Sequence, residues 1–148
     1  MLLRAYLPFE SRSKSRLLLR LENGEQAALI VERGRVLRNG ERVALADGRS
    51  IEIVASDEAL FEAVSDDPLL LAKAAYHLGN RHVALQLLPN RLRFLEDHVL
   101  REMVSRLGLE VTPVVAPFDP EGGASGHSHA HGSEAPPVGP KIHSYPSP

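Results

Sequence analysis

Hydrophobic positions in the first third of the chain fall in short clusters bounded by turn dipeptides. Leu, Val and Ile concentrate at residues 16–21, 27–32, 42–45 and 50–54, among the dipeptides Asn23-Gly24, Asn39-Gly40 and Asp47-Gly48. Asn-Gly and Asp-Gly tolerate the positive φ angles of tight hairpin turns, so each dipeptide is a hairpin signal. Short strands at this spacing predict a small β-rich domain, a barrel or sandwich, over residues 1–56.

The pattern changes after Ser56. Residues 59–64 read as a strand. Asp67 can cap a helix and Pro68 suits its first turn. The helix is expected over 69–78, with Gly79-Asn80 as its stop. Residues 83–88 and 91–95 read as strands around a Pro89-Asn90 turn. A second helix is expected from His98 to Leu107, between Asp97 and Gly108, and 109–115 closes the series as a strand. The order β-α-β-β-α-β is the ferredoxin-like arrangement, assigned here to residues 57–119. Its two helices cover one face of a four-stranded antiparallel sheet; the other face is left for solvent, the first domain or a second copy. Residues 120–148 hold six Pro and five Gly with no Leu or Phe, too little apolar surface to offset the entropy of ordering, so a disordered tail is expected. The fold class is α+β.

Composition narrows the chemistry. Without cysteine there are no disulfides, thiolate metal sites or thiol nucleophiles, and any metal must be held by imidazole, carboxylate, backbone or water. Such ligands suit nickel, copper, zinc or cobalt. Residues 1–50 carry ten Arg/Lys against six Asp/Glu, and the remainder seven against thirteen, so the first domain is suited to an acidic partner. Few aromatics, no Trp and no recognition motif argue against nucleic acid. The apolar run 17–19 is too short for a membrane span, and Arg4 and Glu10 interrupt any signal-peptide core, so a cytoplasmic location is expected. There is no phosphate loop, no Gly-x-Ser-x-Gly elbow and no nucleophile beside a base. Asp66-Asp67 and Glu96-Asp97 sit at helix starts, where capping explains them. A non-enzymatic role is expected.

The histidines carry the remaining signal. His127, His129 and His131 alternate, and with His143 they lie among Gly, Pro and Ser, where no core claims them. In an extended chain alternate side chains point the same way, so three imidazoles can share an ion. On the second helix, at about 100° per residue, Val99, Leu100, Met103, Val104 and Leu107 gather on one side and His98 falls nearly opposite. One outward histidine makes a poor site, but a two-fold axis would place it near its own mate. His77 and His82, at element ends, read as structural.

Three segments resemble signatures of the urease accessory proteins that act as nickel metallochaperones. They are Ala75-Tyr76-His77-Leu78-Gly79-Asn80-Arg81-His82, Asp97-His98-Val99-Leu100 with Met103 and Gly108, and Pro117-Phe118-Asp119-Pro120-Glu121-Gly122-Gly123-Ala124 leading into a His-bearing tail. The resemblance covers most of the chain in the same order. It implies a partner-binding first domain, a ferredoxin-like metal-binding second domain and a homodimer joined through that second domain. It further implies that His98 binds Ni2+ with its symmetry mate, that His127, His129, His131 and His143 add ligands, and that Zn2+ or Cu2+ can also bind. Its implied partners are the accessory GTPase and the urease pre-activation complex. Two departures, only four tail histidines and none between Val99 and Gly126, argue for delivery over storage. Two other classes stay open: an interaction module with incidental histidines, and, ranked last, a zinc hydrolase, which needs three fixed ligands.

Overall fold

The computed structural model describes residues 2–122 and 143–146. In chain order its elements are β1 (Leu2–Leu7), α1 (Phe9–Arg12), β2 (Arg16–Arg20), β3 (Gln26–Ile30), β4 (Arg42–Ala44), β5 (Ser50–Ala55), β6 (Asp57–Val64), α2 (Pro68–Asn80), β7 (Gln86–Leu88), β8 (Arg91–Leu95), α3 (His98–Arg106), β9 (Glu110–Pro117) and β10 (His143–Pro146). They form two units, one up to Ser56 joined by β10, the other Asp57–Glu121.

The first unit has two three-stranded sheets, ordered β1-β5-β4 and β10-β3-β2. Alternation on β1 buries Leu3, Ala5 and Leu7 while Arg4 and Tyr6 face solvent. Those residues join Leu19, Leu29, Leu37, Ile51 and Ile53 in one core, each large member worth about 1.5–3 kcal/mol of burial. Two turn dipeptides act as expected. Asn23-Gly24 closes β2 on β3 and Asp47-Gly48 closes β4 on β5, with Gly24 and Gly48 both at φ +90°. Asn39-Gly40 does not join two strands. Gly40 N–H donates to Ile53 O (2.7 Å) and Asn39 Oδ1 accepts from Ala55 N–H (2.8 Å), so this turn ties a loop to β5. The sequence did not single out β1, which pairs in parallel with β5, nor α1. From α1, Arg12 is fully buried and donates from Nε to Leu7 O (3.2 Å) and from Nη1 to Leu37 O (3.3 Å).

The second unit has the ferredoxin-like topology: a sheet ordered β7-β8-β6-β9, antiparallel throughout. Phe61, Ala63, Leu92 and Phe94 from the sheet pack with Ala74 and Leu78 of α2 and Leu100 and Val104 of α3. Asp67 caps α2 through Leu69 N–H (2.9 Å), and Pro68 occupies its first turn. The helix end differs from expectation. Gly79 and Asn80 are helical; the left-handed residue is His82, at φ +57°. His82 N–H donates to Gly79 O and Val83 N–H to Leu78 O, the paired bonds of a Schellman cap, with Leu78 and Val83 in the same core cluster.

The outer sheet face is partly covered by the chain itself. Past β9, at one sheet edge, the backbone reaches the opposite edge: Asp119 N–H donates to Gln86 Oε1 (3.2 Å) and Glu121 N–H to Leu85 O (2.8 Å). Phe118 is fully buried in this strap. On the same face Glu62 is clamped by Arg93 (2.8 Å) and Arg91 (3.3 Å).

Of the tail expected to be without structure, residues 123–142 lie outside the described residues. The exception to that expectation is β10, which pairs antiparallel with β3 from His143↔Ile30 to Pro146↔Ala27. Four residues beside an existing strand gain ladder bonds that local composition does not foretell.

Candidate functional site

His98 opens α3, and its position is set from both sides. Behind it, Asp97 Oδ1 accepts from Val99 N–H (2.9 Å) and Leu100 N–H (3.1 Å), which fixes the first turn. Beneath it, the imidazole stands edge-on to Phe61 on β6, with ring centroids 5.7 Å apart and planes at 67°. Phe61 is itself held by Phe94 (centroids 6.0 Å apart) and lies under the Arg101 guanidinium at 5.1 Å. His98 is solvent-exposed, and among the described residues no hydrogen bond or ion pair occupies its ring nitrogens. The ring is therefore steadied by an apolar edge contact while its nitrogens remain available to a metal.

Beside the charged Asp97, Arg101 and Glu102, the surroundings include uncovered apolar side chains. Val99 was expected in the helix's core stripe; instead it is 65% exposed, while Leu100, Met103, Val104 and Leu107 do pack inward. The first turn of α3 still reaches the core through Leu100, and Val99, one residue earlier, lies on its uncovered side. On the helix side of the sheet Pro113 pairs with Phe61 and Val115 with Ala59, and Val115 is 74% exposed. An outward histidine beside uncovered apolar side chains is the composition of a surface that another protein surface can cover.

The other histidines are dispersed. His77 is exposed, with its ring 5.3 Å from Tyr76. His82 serves the helix cap. His143 lies in β10, in the other unit from His98. His127, His129 and His131 lie outside the described residues. Among the described residues no three His, Asp or Glu side chains converge on a common point, and no helix is long and apolar enough to cross a membrane.

Phe61 and Arg101 were absent from the sequence-derived site. The alternation at 59–64 could have assigned Phe61 to the helix side, but which helix residue meets it depends on how α3 crosses the sheet.

Family models of the UreE urease accessory protein match nearly the whole chain, the N-terminal domain over residues 3–56 and the C-terminal domain over 58–144. The chain is 49% identical over 134 residues to the urease accessory protein UreE of Dechloromonas aromatica, covering 87% of this chain and 77% of that one. It is 48% identical over 130 residues to that of Citrobacter koseri (85% and 86%) and 54% identical over 119 residues to that of Pseudomonas putida strain GB-1 (80% and 72%).

Proposed function

The chain belongs to the UreE family of urease accessory proteins, and from that premise we propose that it carries Ni2+ as cargo and delivers it for assembly of the urease active site. The observation that carries this reading is the exposed, edge-steadied His98 imidazole set among uncovered apolar side chains. A two-fold axis through that surface brings two such imidazoles together in a homodimer. Exposed Val99 and Val115 supply apolar area to cover, and two neutral imidazoles form a half-site for a borderline metal. His127, His129, His131 and His143 then complete the coordination from one or both chains. Handover then proceeds by exchanging one imidazole at a time. The recipients are the accessory GTPase and the urease pre-activation complex, in the cytoplasm. No catalytic step is assigned to the chain.

Nickel titration against a competing chelator tests this, using the wild type, His98→Ala and a chain ending at Glu121. The reading requires His98→Ala to lose the tightest site and the truncation to lower affinity or stoichiometry. Full affinity in His98→Ala sinks the shared site. Nickel that the wild type cannot hold against the chelator leaves an interaction module with incidental histidines.

A further inference from the structure

Strand β2 is an outer strand: in the order β10-β3-β2, only β3 lies beside it among the described residues. Its residues alternate, with Arg16, Leu18 and Arg20 exposed and Leu19 buried. The solvent face thus reads cation, apolar, cation at steps of two, and Leu18 is 61% exposed. At the Arg16 end a cleft of about 780 Å3 is lined by Lys14, Ser15, Arg16, Ile30, Val31 and Arg33. A second, of about 350 Å3, runs past Arg16, Leu18 and Ala28. Among the described residues no carboxylate lines either one.

Three other arginines of this unit are matched: Arg35 by Glu41, Arg49 by Glu25 and Asp47, Arg4 by Glu52. Among the described residues no carboxylate pairs with Lys14, Arg16, Arg20 or Arg33. Four unmatched cations beside an open strand edge complement an acidic partner. A second copy fits poorly, because antiparallel pairing of two β2 strands about Leu18 sets Arg16 of each against Arg20 of the other, and like charges directly opposite are destabilising.

We propose that the β2 edge docks an extended acidic segment of a partner protein, which adds to the sheet as a further strand. Main-chain bonds to the open edge supply affinity, and alternate side chains supply selectivity. The segment this edge selects reads acid-x-apolar-x-acid, its acids opposite Arg20 and Arg16 and its apolar residue on Leu18. A further acid beyond the strand reaches Lys14 and Arg33 in the cleft. This docking does not depend on nickel at His98, so it is measured in chelator, where failure of one reading leaves the other intact.

The probe is a fluorescein-labelled peptide, Glu-Thr-Leu-Thr-Glu-Thr-Asp, titrated with the full chain at low salt and followed by anisotropy. Saturable binding is expected, with hydrogen-exchange protection gained along β2. The double variant Arg16→Glu/Arg20→Glu, at exposed positions that leave the core intact, weakens it about tenfold or more. A peptide with the same side chains but alternate backbone amides methylated loses binding. Absence of saturable binding, equal binding of the methylated peptide, or indifference to the double variant each overturns the proposal.

Discussion

The His98 ring meets the Phe61 ring edge-on, with centroids 5.7 Å apart and planes inclined at 67°. A buried aromatic thus orients an exposed imidazole without occupying its nitrogens. If His98 binds nickel from this pose, Phe61→Leu lowers nickel affinity several-fold. It also costs about 1–2 kcal/mol of stability through imperfect repacking. Phe94→Leu is the control: Phe94 is equally buried and packs on Phe61, away from the imidazole. It has a similar stability cost and leaves nickel affinity near wild type. Calorimetric titration and urea unfolding of both variants separate orientation from general core damage.

Gly79 lies inside α2, and an added Cβ there meets nothing within 4 Å. Gly79→Ala therefore stabilises the protein by about 0.5–1 kcal/mol, through helix propensity. A glycine serving as the left-handed stop would show the opposite sign. His82 occupies that left-handed position (φ +57°), and His82→Gly stabilises by about 0.5–1 kcal/mol by relieving the Cβ strain. Urea midpoints of the two variants decide where the helix ends.

Arg12 is fully buried and bonds the carbonyls of Leu7 and Leu37, joining the end of β1 to the loop before β4. Arg12→Ala leaves those acceptors without these bonds and opens a cavity, so a loss of about 3 kcal/mol or more is expected. Arg12→Lys recovers little, because one ammonium cannot reproduce the planar fork. Denaturant unfolding of the first unit reads both.

Glu25 and Asp47 share Arg49 across adjacent turns: Arg49 Nη2 lies 2.9 Å from Glu25, and Arg49 Nε lies 2.8 Å from Asp47. The Arg49 side-chain bond holds Glu25 below its usual 4.5, and the Arg49 backbone N–H does most to hold Asp47 below 3.8. Folded values below unfolded ones mean that the stabilisation is present above those usual values and disappears as pH falls through the folded ones. Arg49→Ala should therefore differ from wild type by a constant amount above about pH 5, and the gap should shrink below about pH 4. Both carboxylates are exposed and Arg49 is only partly covered, so 1 M salt should shrink it too. Urea midpoints between pH 2 and 7 test the shape.

The sequence was most legible where the physics is local. Asp67 and Asp97 were read as caps and are caps, because a side chain bonding amides two or three residues on needs no tertiary partner. Asn23-Gly24 and Asp47-Gly48 close hairpins because their flanking strands are neighbours in the chain. Asn39-Gly40 has the same local preference but serves a loop, since its partner, Ile53, is chosen by packing. The Phe118 segment carried a recognisable motif without an evident purpose; its strap across the sheet depends on a distant edge formed by Leu85 and Gln86.

By itself the sequence determined the β-rich and ferredoxin-like halves, the helix starts, the change of character at Ser56 and the exposure of His98, because strand alternation, capping and helical periodicity act within a few residues. Only the tertiary structure decided that β1 runs parallel to β5, that Arg12 is buried, that His82 and not Gly79 takes the left-handed turn, that Val99 faces out, and that Phe61 lies under His98. Each of these turns on which distant surfaces pack together, a choice made by the burial of the whole core and not by any local preference.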